Sequence, residues 1–236
     1  MRLNLLRYTT WQLRDFARER GIALILIGLA IGTTILGPMK AMRIPFSDDS
    51  ARQILATIIS QVAFIAAFVA LNGIVSNDRK LGYYRFLFSK SVRVPAYYAQ
   101  QFVMFFIGFV VVFAMLIGLF ALLVHPVAPR GPLIYSALVF LSLGGVAFLI
   151  SSLFRFDWPI LVGVFLVTNI LHSVIDNQEG LAGLLLRLLP PFQELPGMAA
   201  AINAGTVDSS RVIWLLGYSA ICFIAGLIVL RRRPFG

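Results

Sequence analysis

The chain has 236 residues, 59% of them hydrophobic and only 13% charged, with a formal net charge of +10. Soluble domains carry about 45–50% apolar and about 25% charged residues, so this composition excludes a soluble fold and predicts an all-α integral membrane protein. A spanning helix takes about 20 apolar residues, and six would use roughly half the chain, which predicts a single transmembrane domain over 1–236 with no second soluble one.

In chain order, residues 1–20 come first. A helix over 3–19 would put Leu3, Leu6, Leu13, Phe16 and Ala17 on one side, and Arg7, Arg14 and Arg18 on the other, with Trp11 beside them. That pattern predicts an amphipathic helix in the membrane interface, anchored on anionic lipid; contact with a partner protein is the alternative. The apolar run 21–37 is the first expected span and about 54–76 the second, with Gln61 and Asn72 as polar residues inside it. The segment "SNDRKLGYYRFLFSKSVRVPAYYAQ" follows, with five cations among its aromatics. On a helix, Leu81, Tyr84 and Phe88 fall on one face with Leu87 adjacent, and Pro95 ends that helix before the third span. Such a face suits either headgroup depth or a groove on a soluble partner.

The third span covers about 96–124 and the fourth about 133–154. "FRFDWP" between the fourth and fifth reads as a charged turn, Arg155 and Asp157, with Trp158 at the interface. It is short enough to make those helices antiparallel neighbours. In the fifth span, 158–175, Asn169, His172 and Asp176 lie on one face near one end. Polar groups in spans either mark a transport path or hold helices together. The next loop is apolar but broken by Pro190, Pro191 and Pro196. It reads as two short helices dipping into the membrane or as an interfacial loop. The sixth span is 212–230, and Cys222 within it has no second cysteine to pair with.

The cations set the orientation. Five lie in the N-terminal segment (Arg2, Arg7, Arg14, Arg18, Arg20), five follow the second span (Arg79, Lys80, Arg85, Lys90, Arg93), Arg155 follows the fourth, and Arg231 to Arg233 close the chain. Those fourteen share one side, against six on the other: Lys40, Arg43, Arg52, Arg130, Arg187 and Arg211. The positive-inside bias puts both termini and the aromatic loop in the cytoplasm. It also accounts for the net charge without nucleic acid.

No G-x-x-x-x-G-K-[ST], G-x-S-x-G, H-E-x-x-H or Cys-x-x-Cys pattern is present. The chain is therefore not expected to bind ATP through a phosphate loop, to hold a metal or to be an enzyme itself. His125, beside Pro126, reads as interfacial. A membrane enzyme would want a carboxylate or histidine constellation at one interface, and only His172 with Asp176 could start one. A secondary transporter or channel would want ionisable residues deep in the spans.

This layout resembles the membrane subunits of ABC-2-type ABC transporters: an amphipathic N-terminal helix, six spans, a basic aromatic helix between spans two and three, and a proline-broken loop before the sixth. Within 77–93, Asp78 stands at that family's acidic place, Gly82 at its glycine, and Ser91, Val92 and Arg93 at its "P-V-S-R"-like tail. Asp78 replaces the more usual Glu, and Gln100 or Gln101 stands where Lys often leads into the third span. The resemblance implies an export subunit of a bacterial or archaeal cytoplasmic membrane, paired with an identical or a different membrane subunit. It also implies a separate ATP-binding chain that carries the ATP and Mg. A coupling helix, with Asp78, Arg79, Leu81, Gly82, Tyr84, Arg85, Leu87 and Phe88, would dock that chain. Asn169, His172, Asp176, Gln61 and Asn72 are then candidates for the translocation path, and Arg7, Trp11, Arg14 and Arg18 for the interfacial anchor.

Overall fold

The computed structural model describes residues 6–41, 47–81, 93–154, 157–175 and 189–232. Every element among them is helical. Helix α1 (Leu6–Phe16) runs through a π-helical segment (Ala17–Gly21) into α2 (Ile22–Ala41). Then follow α3 (Asp48–Leu71), the short α4 (Ser76–Leu81), α5 (Val94–Leu123), α6 (Arg130–Leu153), α7 (Asp157–Ile175), α8 (Glu194–Ala204) and α9 (Ser209–Arg232). Six helical stretches are long and apolar enough to cross a membrane, containing α2, α3, α5, α6, α7 and α9. An apolar chain in lipid must satisfy its backbone within each segment, and these helices do so.

Since successive spans alternate in direction, one end of the bundle carries Arg20, the α3–α4 turn, the α6–α7 turn and Arg232. This is the near end; the far end carries the N-terminus of α3, the α5–α6 loop and α8.

The second span begins and ends earlier than its apolar run suggests. Ser47 caps α3, its hydroxyl accepting from the Ser50 amide at 3.2 Å, with Asp48 and Asp49 in the first turn, where the helix dipole favours acids. The helix stops at Leu71 because Asn72 leaves helical geometry and Gly73 takes φ +71°, in the left-handed region that favours glycine. Asn72 therefore caps the span rather than lying within it.

The N-terminal helix also differs from a separate interfacial element. Its backbone stays helical into the first span through the π-helical segment, one of the places where long helices bend. Phe16 and Arg20 are buried on either side of the exposed Arg18 and Glu19. The packed face is Tyr8, Gln12 and Phe16 against α5. Tyr8 meets Tyr97 edge-on at 6.0 Å, Gln100 Nε2 donates to Thr9 Oγ1 at 2.9 Å, and the Phe16 ring occupies the space left by Gly108. Trp11, Arg14 and Arg18 are exposed, and so is Ala17; the side chain of Arg7 lies outside the described residues.

Helix α6 is the central pillar. Its buried residues include the consecutive run Leu138, Val139 and Phe140 and the unbroken run from Ser142 to Phe148, so every face is covered. It packs against α3, α5, α7, α8 and α9. Phe140 stacks on Phe109 at 4.9 Å, while Phe148 and Phe102 meet Phe223 of α9 at 4.6 and 4.8 Å. Small residues bring α9 close. Ser219 Oγ donates to the Leu141 carbonyl and accepts from the Gly145 amide at 3.1 Å, so one hydroxyl occupies both ends of a rung of α6. Close approach through Gly and Ser is the main source of helix contact in lipid, where no hydrophobic force drives helices together.

At the far end, the described part of the proline-broken loop is one helix rather than two, since 181–188 lie outside the described residues. Its Phe192, Leu195 and Met198 are buried, and α8 packs against α6 and α3. Asp208 caps α9 by accepting from the Ser210 amide and hydroxyl at 2.9 and 2.8 Å, which holds its carboxyl below the usual range. Arg211 then links α9 to Glu194 of α8 at 3.3 Å.

A methyl group at Gly145 would collide with the backbone of Ser219. Gly145→Ala is expected to destabilise the protein by about 1–3 kcal/mol, seen as an earlier thermal transition in detergent. Gly163→Ala, with nothing within 4 Å of the added carbon, is the control and should leave that transition unmoved.

Candidate functional site

The helix break after Leu71 frees backbone groups at the near end, and their partners define a polar cluster there. The Asn72 carbonyl accepts from Arg20 Nη2 at 2.8 Å, and the Gly73 amide donates to Asp157 Oδ2 at 3.0 Å. The Val75 and Ser76 amides both donate to Ser151 Oγ at 3.0 Å. Four segments thus meet at one turn: the π-helical segment before α2, the α3–α4 connection, the end of α6 and the start of α7.

Arg20 is 7% exposed and its guanidinium carbon lies 4.3 Å from the Phe105 ring centroid, a cation–π contact on α5. Asp157, expected as part of a solvated turn, is instead 4% exposed. The turn is short, but α7 starts underneath the α3–α4 connection, so its first carboxylate is covered. Trp158 beside it is exposed. Arg155 lies outside the described residues.

Of the coupling-helix residues, Asp78 and the backbone of Arg79 and Leu81 are described, within α4. Asp78 is half-buried and points back at the bundle, where Tyr98 Oη donates to its Oδ2 at 3.2 Å. This ties α4 to α5. Gly82, Tyr84, Arg85, Leu87 and Phe88 lie outside the described residues. Pro95 sits in the first turn of α5, where its missing N–H is no loss.

The candidate path residues separate. Asn169 turns its amide onto the Phe165 carbonyl of its own helix at 2.8 Å. His172 reaches across: Nδ1 pairs with the Thr168 carbonyl at 3.0 Å and Nε2 with Gln193 Nε2 at 2.7 Å. His172 thereby joins α7 to the segment leading into α8. Asp176 lies outside the described residues. Gln61 is exposed on the outer face of α3. His125 pairs with Asp48 at 2.6 Å, closing the α5–α6 loop on the start of α3.

An apolar groove of about 260 Å³ opens between α2, α3 and α5, lined by residues such as Gly28, Gly32, Leu36, Ile59 and Leu116. Thr33 brings the groove its hydroxyl, which is turned back onto the Ala30 carbonyl. Among the described residues no group of three or more His, Cys, Asp or Glu could hold a metal ion.

Reasoning from sequence passed over Arg20, Gly73, Tyr98, Ser151 and Asp157 as a set. One signal was present: Asn-Gly is a strong turn dipeptide, and here it lies inside an apolar run. No protein-family model matches the chain, and no curated protein matches it.

Ser151→Ala would leave two buried amides unpaired, at a cost of about 1–3 kcal/mol each. A clearly lowered thermal transition is expected for it. Ser142→Ala, whose hydroxyl only bonds the Leu138 carbonyl of its own helix, should change little; equal shifts in the two would contradict this assignment.

Proposed function

We propose that this chain is the membrane-spanning subunit of an ATP-driven ABC transporter of the ABC-2 type, an exporter that works as a dimer and docks a separate ATP-binding chain through the 77–93 loop. The observation that carries the reading is the near-end cluster. The root of the basic aromatic loop is held by side chains from the π-helical segment and from α5, α6 and α7. A loop that takes force from a soluble partner needs such a root, because a freely hinged one would move without moving the spans. Tyr84 and Phe88 would seat in the partner, with the cations around them facing its acidic rim.

Two further observations support the reading. No Asp, Glu, Lys or Arg lies in the middle of any described spanning helix, whereas an ion-coupled transporter would place ionisable groups there. Gln61 presents a carboxamide outside the bundle at hydrocarbon depth. Lipid cannot satisfy it; a second membrane subunit, or a watery path between two subunits, can. The near end is then cytoplasmic, with the lysine- and arginine-rich segments on it.

The tagged chain, purified in mild detergent, is expected to bring with it a soluble protein carrying a phosphate loop and hydrolysing Mg-ATP. Tyr84→Ala combined with Phe88→Ala should abolish that association; retention of the ATPase by this variant would sink the docking role. In a Cys222→Ser background, Lys40→Cys and Lys90→Cys should label with an impermeant maleimide from opposite sides of the membrane. Labelling from one side would break the topology. His172→Ala with Asp176→Ala is expected to lower both transport and substrate-stimulated ATP hydrolysis, and unchanged rates would make the α7 stripe structural.

A further inference from the structure

Helices α6 and α9 are pinned together where Ser219 meets Gly145, and again where the Phe148 ring fills the space left by Gly226. Toward the far end a cleft of about 600 Å³ opens between them, walled by Ile134 and Leu138 of α6 and by Val212 and Ile213 of α9. Arg130 and Ser209, the first residues of the two helices, line its far-end mouth. Helix α6 has 24 residues, roughly 36 Å at 1.5 Å per residue, whereas the hydrocarbon of a bilayer is about 30 Å thick. Arg130 therefore stands at headgroup depth, and Ile134 and Leu138, one and two turns in, stand in hydrocarbon.

The mouth and the walls ask for different chemistry. Arg130 is exposed, and among the described residues no carboxylate pairs with it. Asp208, next to Ser209 in the chain, is already taken: it accepts from Ser210 and meets Arg211 at 3.5 Å. The walls offer only apolar side chains. Left unfilled they forfeit dispersion contacts, and a water between them would find no polar partners.

We propose that this cleft binds an anionic phospholipid of the far leaflet, one acyl chain lying between α6 and α9 and the phosphate resting on Arg130. The Ser209 hydroxyl is a further donor at the mouth, and so are the amides of Arg130 and Gly131, which have no acceptor within their helix and no side-chain cap from Pro129. An anionic lipid supplies both requirements in one molecule: a flexible chain that fills a narrow apolar wedge, and a phosphate that matches the fork of a guanidinium. A zwitterionic lipid brings the same chain, but its amine offsets the phosphate, so the cleft discriminates by headgroup charge. The site needs only that the chain spans a membrane, and it stands apart from the transporter reading.

The test uses the full chain in nanodiscs of phosphatidylcholine, with Trp11→Phe and Trp158→Phe. Trp214, exposed on α9 beside Ile213, is then the only tryptophan. A small fraction of the lipid carries bromine on its acyl chains, either as phosphatidylglycerol or as phosphatidylcholine, and quenching of Trp214 is read. The brominated phosphatidylglycerol should be enriched beside Trp214 about five-fold over brominated phosphatidylcholine at equal mole fraction, the pull of one surface cation on an anionic headgroup. Arg130→Gln should abolish that preference and Arg130→Lys should keep most of it. Arg52→Gln, which removes an exposed cation at the same end on α3, should leave it unchanged. Ile134→Phe with Val212→Phe, filling the cleft from both walls, should remove the preference although Arg130 is present.

Equal quenching by the two lipids in the parent overturns the proposal, as does a preference that survives Arg130→Gln. A preference that falls as far with Arg52→Gln reports a diffuse surface field and overturns it too. If the filled variant inserts and keeps the preference, the lipid is not seated in the cleft and the site falls. If neither lipid quenches, and Ile213→Cys in a Cys222→Ser background cross-links between copies, the occupant is a second copy and not a lipid. Should the filled variant fail to insert, Arg130→Gln and Arg130→Lys decide alone.

Discussion

A helix that ends at a membrane boundary leaves backbone groups without partners, and lipid offers none. Much of the near end of this protein is organised by that constraint. The turn after Leu71 frees an amide at Gly73 and two more at Val75 and Ser76, all in buried positions. Water does not reach them freely, so side chains must. Ser151 takes two and Asp157 takes one. Burying Asp157 for this purpose brings a carboxylate under the turn, and Arg20 supplies charge of opposite sign on the other side of the same peptide. A buried charge is tolerable only when paired or hydrogen-bonded. Each of these groups therefore makes the next one necessary.

The polar cluster would be unstable on a loose scaffold. Ser151 can serve the turn only because α6 is held on all sides, by the phenylalanines of α5 and α9 and by the close Gly145–Ser219 contact. Apolar packing in lipid has little driving force beyond dispersion and fit, which is why glycines stand where rings or backbone must come near. The packed pillar and the gripped turn meet at Ser151, whose hydroxyl ties the start of α4 to the end of α6. In the proposed transporter, force arriving at the loop would be delivered to α6 and α7 together, and through Arg20 to the first span.

The spanning helices were legible because a run of about 20 apolar residues has few alternative fates. The boundaries of α3 were less so. Ile74 and Val75 are as apolar as the span before them, so the run extends to Ser76 on hydropathy alone, and Asn72 reads as a polar residue in a span. The turn chemistry of Asn-Gly was the better guide, since only a glycine accepts φ +71° without strain. Asp157 was illegible for another reason. In a two-helix turn beside Arg155 it has every mark of a solvated charge, and its burial depends on α3 ending directly above it. Arg20 counted as one cation among five in its segment. That one should be buried while Arg14 and Arg18 stay exposed follows from which helical face meets α5. For the stripe on α7, the sequence put Asn169 and His172 on one side but gave no reason to name Gln193, which lies beyond two prolines.

The two ends of the bundle handle their polar groups differently. At the far end, His172 with Gln193, His125 with Asp48, and Arg211 with Glu194 are each a side chain meeting a side chain, and the last two pairs are exposed. Exposed pairs of this kind contribute about 0–1 kcal/mol and can exchange for water as the helices shift. At the near end the partners of Arg20, Asp157 and Ser151 are backbone groups of a single turn, and burial denies them that exchange. A shift of helices at that end must carry the turn along or break these bonds. The near-end turn is therefore held more firmly than the exposed far-end pairs, and in the proposed transporter force arriving there would pass to the spans through it.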